Sequence, residues 1–278
     1  LHWMVHSFPT RRSSDLFRAG QLTRAGFVVH FDTPEADADF PAYAAWCGEP
    51  LLPQAAPEYL CSTLASVRPI FPRAPGLWDA YEALFDRSFE ASLQDRDTCR
   101  TYGWMHYGDW YGERYCNYGN SEYDMGWALA LQWMRTGDRR LFERGLDMAR
   151  HSSSVDVLHG AAFDDNRGLV WEHCFNHVGT ALTLEELRLP PEDETARKYL
   201  EQFGGMITGA MDPQGHVFQQ GHWLYACLTG DSWFHDVAER IAVNQSRKLT
   251  PAFNFSIERS GGWPIINAAN AYAFSGNP

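Results

Sequence analysis

Residues 123–151, YDMGWALALQWMRTGDRRLFERGLDMARH, decide the fold of this chain. Their first part, Tyr123–Met134, is apolar nearly all round, which predicts a helix that is buried on most faces. Thr136-Gly137-Asp138 predicts a turn, in which Asp138 caps the helix that follows. From about Arg140 to His151, an apolar stripe lies opposite charged positions, which predicts an amphipathic helix packed against the first. The stretch therefore predicts a hairpin of one inner and one outer helix.

The same pattern returns further along the chain. A second apolar segment, Phe218–Leu228, is followed by the turn Thr229-Gly230-Asp231 and the amphipathic segment Phe234–Val243. A third apolar segment, Ala268–Phe274, is followed by the turn Ser275-Gly276-Asn277. The first two turns are 93 positions apart and the last two 46, with a helix break at Leu187–Glu192 half-way between the first two. A repeat of about 46 residues built from paired helices is typical of a stacked or closed helical array. Because the inner helices are apolar all round, we predict a mainly α fold, an incomplete (α/α)n toroid.

The region before the first hairpin differs in composition, and we expect three regions in all. Residues 6–16, HSFPTRRSSDL, look like a translated sequencing adapter, so residues 1–16 are expected to be a non-native tail. Residues 26–32, GFVVHFD, alternate as a strand does, and a proline-rich connection with one short helix follows them. A lone strand cannot form a domain, so residues 17–75 are expected to end an N-terminal β-domain. Residues 76–278 are then a partial toroid, truncated at its C-terminus.

Composition excludes several classes of function. The formal net charge is −12 and no long basic run is present, which argues against nucleic acid and anionic membrane as partners. No apolar run is long enough to span a bilayer. The six cysteines include no CxxC pair, so neither a metal knuckle nor a redox motif is indicated.

Residues 101–124, TYGWMHYGDWYGERYCNYGNSEYD, combine aromatic rings with carboxylates and amides. Aromatic faces stack on sugar rings while polar side chains fix their orientation, so this composition suits a hydroxyl-rich, ring-shaped ligand. The alternative is an aromatic surface loop that only holds neighbouring helices. The sequence favours the ligand site.

In a toroid of this kind the inner helices run parallel, so their starts share one rim. Most of the unusual polar residues fall at those starts or on the return from an outer helix: Asn117, Asn120, Glu122, Tyr123, Asp124, Arg150, His151, Asp156, His159, His173, Asn176, His177, His216, His222, Asn267 and Asn270. His173 and His177 are four residues apart and share a helical face. That spacing suits a metal, acid–base catalysis or a structural role, but no HExxH motif or obvious third ligand supports a metal. Arg150 and His151 also suit a helix C-terminus through the helix dipole alone.

Several motifs in this order resemble the exo-rhamnogalacturonan lyases of polysaccharide lyase family 26: WMHYGDWYGE, NYGNSEYD, LQWMRTGDRRLFERGLDMARH, VDVLH, HCFNHVG and the spaced His216, Gly221, Tyr225 and Leu228–Asp231. The resemblance covers about residues 20–278. It implies an N-terminal RIFT-type β-barrel followed by an α/α toroid, and a chain that is a fragment of such a protein. It further implies exo-acting β-elimination on an acidic, plant-type, rhamnogalacturonan-like polysaccharide.

Such a lyase must neutralise the uronate carboxylate, remove the C5 proton and protonate the leaving oxygen. We expect His173 or His177 as base and Tyr123 as acid, with His106, Arg150 and His216 at the carboxylate. Trp110 and Tyr111 are expected to stack on sugars, and Asp109, Glu113 and Glu122 to bind hydroxyls or hold histidines. The remaining expected substrate-binding residues are Asn120, Asp124, His151, His159 and His222. The chemistry requires no cofactor and is compatible with a divalent cation such as calcium.

Two other functions fit the same residues. A glycoside hydrolase acting on unsaturated or acidic oligosaccharides would use paired carboxylates, for which Asp109, Glu122 and Asp124 are candidates. A carbohydrate-binding protein without catalysis would use the aromatic residues alone. Product analysis separates the three, since a lyase creates a double bond and a hydrolase adds water.

Overall fold

The computed structural model describes residues 22, 42, 54–63, 65–66, 68–102, 107–113, 117–119, 121–160, 167–171, 211–212, 215–248 and 258–276, with the backbone alone at 111–113, 117–118, 171, 211–212 and 248. These residues are mainly helical, as the sequence predicts. The helices are α1 (Pro57–Ser62), α2 (Asp79–Cys99), α3 (Met125–Thr136), α4 (Arg139–Ser154), α5 (Gln220–Thr229), α6 (Ser232–Lys248) and α7 (Glu258–Ser275). Two short antiparallel pairs accompany them, β1 (Tyr111–Glu113) with β2 (Asn117–Tyr118), and β3 (Val170–Trp171) with β4 (Met211–Asp212).

The predicted turns end the inner helices by one shared mechanism. α3, α5 and α7 each end at a glycine in the left-handed region, Gly137 (φ 75°), Gly230 (φ 71°) and Gly276 (φ 68°). After the first two, Asp138 and Asp231 each accept the backbone N–H two residues further on, at 3.0 Å. The threonine two positions before each aspartate accepts the aspartate's own N–H at 3.2 Å. The predicted caps are therefore confirmed, because the two turns make the same hydrogen bonds.

Helices α5 and α7 run in the same direction, and the start of α3 meets the start of α5. Asp124, at the start of α3, contacts Gly221 at the start of α5. In α7, Asn267, Asn270 and Phe274 contact, in the same order, Val217, Gln220 and Trp223 at and in α5. α7 begins earlier than its predicted apolar segment, so its first turns extend past the start of α5. The starts of α3 and α5 thus lie together, beside the first half of α7.

The main core lies between the two hairpins. Phe142 of α4 packs on Trp133 of α3, with ring centroids 4.8 Å apart, and on Tyr225 of α5 at 5.5 Å. The Tyr225 hydroxyl donates to the Phe142 carbonyl at 3.1 Å. Gly145 permits this close approach, because a Cβ there would lie 2.2 Å from the Tyr225 hydroxyl oxygen. Helix α3 is largely buried as predicted, although Met125 at its start is 39% exposed.

Helix α2 packs by one edge. Its Phe89 is buried and its Phe85 is partly buried against the core, whereas Tyr81 and Leu84 are each 55% exposed. Glu82, on the packed side, is buried beside Arg135 of α3. The helical spacing of these residues predicts the helix, but the neighbouring elements decide which edge is covered.

The segment before α2 is held at the end of α3. The Arg73 N–H donates to the Arg135 carbonyl and the Arg135 Nε to the Phe71 carbonyl, each at 3.0 Å. The predicted short helix of this connection is α1.

The predicted strand 26–32 and helix break 187–192 lie outside the described residues, as does the predicted tail 1–16. Within the described part of the chain, every helix is too short or too polar to cross a bilayer.

Candidate functional site

The chain enters α3 through an unusual backbone. Ser121, Tyr123 and Asp124 all have positive φ, at 55°, 60° and 58°. Left-handed backbone costs a residue with a side chain about 1–2 kcal/mol. Hydrogen bonds from Glu122 N to Gly119 O (2.9 Å) and from Asp124 N to Ser121 O (2.8 Å) hold this conformation. It directs Tyr123 outward, where the side chain is 62% exposed. Strain of this kind concentrates at functional sites.

Asp124 holds the strained segment against α5. Its carboxylate accepts the N–H of Trp127 at 3.4 Å, as the cap of α3, and the N–H of Gly221 at 3.2 Å through both oxygens. Burial raises the pKa of Asp124 to about 6, although the backbone N–H groups act in the opposite direction. A Cβ at Gly221 would lie 2.8 Å from Asp124 Oδ1. The residue is thus enclosed between two helix starts and is not open to a large ligand.

Glu122 brings three inner-helix starts together. It is 6% exposed, and its Oε1 accepts Arg259 Nη1 of α7 at 2.9 Å. His216, just before α5, places its Nδ1 4.0 Å from the same oxygen. A carboxylate, a guanidinium and an imidazole therefore meet beside the exposed Tyr123. This combination supplies charge and proton-transfer groups at one place.

An aromatic group adjoins these polar residues. The Phe218 ring lies 6.1 Å from the Tyr123 ring, 6.3 Å from His216 and 4.7 Å from Trp263, the last edge-on at 88°. Trp263 is partly exposed and belongs to α7. We call Glu122, Tyr123, His216, Phe218, Arg259 and Trp263 the rim cluster. Exposed and half-exposed rings beside hydrogen-bonding groups suit sugar stacking.

A second group of predicted residues lies beneath the surface. The His151 side chain is fully buried, with its Nε2 3.2 Å from Asp156 Oδ1 and 3.8 Å from Asp109 Oδ2. Burial lowers the pKa of His151, but the carboxylates of Asp156 and Asp109 outweigh it, so the pKa lies above its ordinary value. The three residues tie the loop before β1 to the end of α4, out of reach of a polysaccharide.

His222 is buried and His159 is half-buried, and both bond to residues in the last turn of α4. His222 Nε2 lies 2.8 Å from Ser152 Oγ, and His159 bonds the Ser154 carbonyl at 3.0 Å through Nε2 and Arg240 at 3.0 Å through Nδ1. Burial lowers the pKa of both histidines to about 4. Both imidazoles are therefore neutral at pH 7, and they join helices α4, α5 and α6.

Asp109 and Trp110 line a cavity instead of the rim. The cavity has a volume of about 300 Å³ and lies between α2, the loop before β1 and the first half of α3 and α4. Asp109 Oδ1 accepts the Trp110 N–H at 2.7 Å. The indole packs against Gly119, where a Cβ would come within 2.0 Å of its ring.

The remaining predicted residues divide into three sets. Arg150 is exposed near the end of α4, close to Tyr107 and Asp147, which hydrogen-bond each other. Tyr111 and Glu113 lie in β1, opposite Tyr118 and Asn117. Outside the described residues are His106, Asn120, His173 and His177. Among the residues that the structure does describe, no three His, Cys, Asp or Glu side chains are grouped to hold a metal ion.

Sequence reasoning missed two arginines. Arg259 sits ahead of a long apolar segment, and Arg144 lies three residues after Leu141 and four before Met148, on the apolar stripe of α4. A charge on an apolar face is a recognisable signal. Arg144 is 4% exposed, and its Nη2 donates to the Asp109 carbonyl at 2.7 Å.

Comparison with protein-family models and with curated proteins finds no match for this chain.

Proposed function

We propose that this protein is a polysaccharide lyase that cleaves a uronate-containing, rhamnogalacturonan-like pectic polysaccharide by β-elimination at the rim cluster. The single observation that carries the proposal is the strained entry to α3, which presents Tyr123 to solvent beside His216, Glu122 and Arg259. The same proposal includes closure of the hairpins into an α/α toroid, membership of polysaccharide lyase family 26 and an N-terminal β-domain. The proposal also includes exo-acting cleavage, from the end of the polysaccharide chain.

The chemistry assigns a role to each rim residue. Arg259, whose side chain is 34% exposed, draws charge from the uronate carboxylate, with the buried His216 behind it beside Glu122. Electrons can then move from the C5–H bond toward the carboxylate. A base removes the C5 proton, the C4–C5 double bond forms and the C4–O bond breaks. Tyr123 donates its phenolic proton to the leaving oxygen. His173 and His177 remain the proposed bases. The partly exposed Trp263 supports the sugar, and the buried Phe218 packs beneath the Tyr123 and Trp263 rings.

Glu122 completes the arrangement by setting the position of Arg259. Its buried carboxylate accepts one guanidinium N–H at 2.9 Å, which leaves other donors of the planar fork for the substrate. Such a fork matches the two oxygens of a uronate carboxylate. A uronate bound here would therefore meet a cation held in a fixed position.

Hydrolysis by paired carboxylates is less well supported. Asp124 is enclosed by backbone N–H groups, and Asp109 is 1% exposed. Glu122 already accepts Arg259. A water molecule activated between two open carboxylates would need groups nearer the surface.

The test uses purified protein with rhamnogalacturonan and homogalacturonan oligosaccharides, followed by ultraviolet absorbance and product masses. We expect an unsaturated uronate at the new end, with rhamnogalacturonan preferred. Tyr123→Phe should abolish product formation, while Tyr272→Phe, a change at an exposed tyrosine of α7, should leave it unchanged. Arg259→Met should raise KM for the acidic substrate.

Three results would overturn the proposal. Products heavier by one water, with no new ultraviolet absorbance, would mean hydrolysis. Binding without any product, or full activity in Tyr123→Phe, would remove the rim cluster from catalysis.

A further inference from the structure

The cavity that Asp109 and Trp110 line is a separate feature of the molecule. Its walls are mostly apolar and include Phe85, Phe89, Met125, Leu129 and Met148. Among the described lining residues are none of the rim cluster. A surface of this kind suits a compact apolar body better than a sugar, whose ring is covered with hydroxyls.

Arg144 gives the apolar cavity one buried positive charge. In the described part of the chain its guanidinium makes one hydrogen bond, from Nη2 to the Asp109 carbonyl, and its buried Nε has no partner. No carboxylate oxygen of a described residue lies within 4.0 Å of it. Burial lowers the pKa of Arg144, although Asp147 and Asp109 act against this shift from a distance.

An uncompensated buried charge is unfavourable unless something pairs with it. Arg144 reaches the cavity wall with an unused donor, and Trp110 also keeps its buried Nε1 without a partner among the described residues. Arginine pairs most favourably with a carboxylate, through two parallel hydrogen bonds. The cavity therefore offers mostly apolar walls with a buried anion-binding point at Arg144, and Asp95, Arg96 and Asp109 also line it.

We propose that this cavity binds a small carboxylic acid with an apolar, aromatic or short aliphatic body, whose carboxylate pairs with Arg144. Its volume of about 300 Å³ is roughly twice that of an engineered cavity known to hold benzene. A ligand in which two methylene groups join an aromatic ring to a carboxylate is therefore of suitable size. The proposal does not depend on lyase activity, since its residues are distinct from the rim cluster.

The test measures binding of 3-phenylpropionate and of its neutral analogue 3-phenylpropionamide by calorimetry. The two molecules share their apolar body and differ in charge, so their affinities isolate the contribution of Arg144. We expect the acid to bind at least about tenfold more tightly than the amide, because a hydrogen bond between charged groups is stronger than one to a neutral group. In Arg144→Met the acid should lose this advantage, while the amide should keep its affinity.

A second pair of variants tests the location. Ser88→Trp places a large ring at the cavity wall and should abolish binding of both compounds. Ala91→Trp adds the same ring to an exposed position of α2 outside the cavity lining and should leave binding intact. Circular dichroism reports whether each variant is folded. If Arg144→Met does not fold, the acid–amide comparison and the tryptophan pair still decide the question.

The proposal fails if the acid and the amide bind equally, if neither binds, or if binding survives Ser88→Trp. It also fails if a folded Arg144→Met still prefers the acid. Loss of lyase activity with acid binding preserved would affect only the rim cluster, so the two proposals can be judged separately.

Discussion

Asp124 and Gly221 join the starts of two inner helices, since both oxygens of the Asp124 carboxylate lie 3.2 Å from the Gly221 N–H. The contact is close because residue 221 has no Cβ. The strained turn that precedes α3 is fixed to α5 at this point. The position of Tyr123 relative to His216 therefore depends on it.

Gly221→Ala should destabilise the protein. The new Cβ would lie 2.8 Å from Asp124 Oδ1 and 3.1 Å from Trp127 N. We expect the free energy of unfolding to fall by about 1–3 kcal/mol. The matched control is Gly262→Ala in α7, where a Cβ meets nothing within 4 Å; it should be neutral or stabilising by up to about 1 kcal/mol. Urea denaturation measures both, and equal losses would contradict the close approach.

The buried carboxylate of Asp124 should make stability depend on pH. Its folded pKa of about 6 lies above the ordinary 3.8. Between those values the folded state binds more protons than the unfolded state, so stability falls as pH rises. The effect is on the order of 3 kcal/mol between pH 4 and 7.

Asp124→Asn tests this assignment because asparagine does not titrate. Relative to the variant, the wild type should be most stable near pH 4 and should lose that advantage by pH 7. Urea denaturation at several pH values gives the difference. A constant difference across this range would show that Asp124 does not titrate there.

Tyr123→Gly should stabilise the fold while abolishing the proposed activity. Tyr123 has a φ of 60°, which glycine adopts without strain. We expect the free energy of unfolding to rise by about 1 kcal/mol. Tyr272→Gly, at a tyrosine of α7 that is similarly exposed at 63%, should lower it by about 0.5 kcal/mol. The same sign for both variants would contradict strain at Tyr123.

Asp156→Asn should break the buried pair with His151. The raised pKa of His151 means that the pair's stabilisation is complete below the unfolded pKa, about 6.5, and is lost as pH rises through the folded value. At pH 6 the variant should lose about 3 kcal/mol, and its gap from the wild type should narrow at higher pH.

The control for that pair lies on the surface. Asp236, whose side chain is 61% exposed, is 3.9 Å from His235. Asp236→Asn should change stability by less than about 1 kcal/mol. If Asp156→Asn were equally harmless, His151 would not be charged in the folded protein.

Local patterns in the sequence predicted the helices well. The apolar run before Gly137 and the TGD turns act within a few residues, through caps and helical periodicity, so their outcome is readable from the chain. The same holds for the recurrence of the turn at Gly230. The sequence did not predict that α7 begins well before its apolar segment, which is what brings Arg259 to Glu122. Residues that are distant in sequence make this contact, so a local pattern does not reveal it.

The sequence by itself determined the two helical hairpins with turns at Gly137 and Gly230, and it placed polar residues near the starts of α3 and α5. Only the tertiary structure separated those residues: Tyr123 is 62% exposed, whereas His151, His216 and His222 are buried. Burial depends on which helices cover a residue, and that is decided by packing between distant segments. Glu122 and Arg259, 137 positions apart, meet for the same reason.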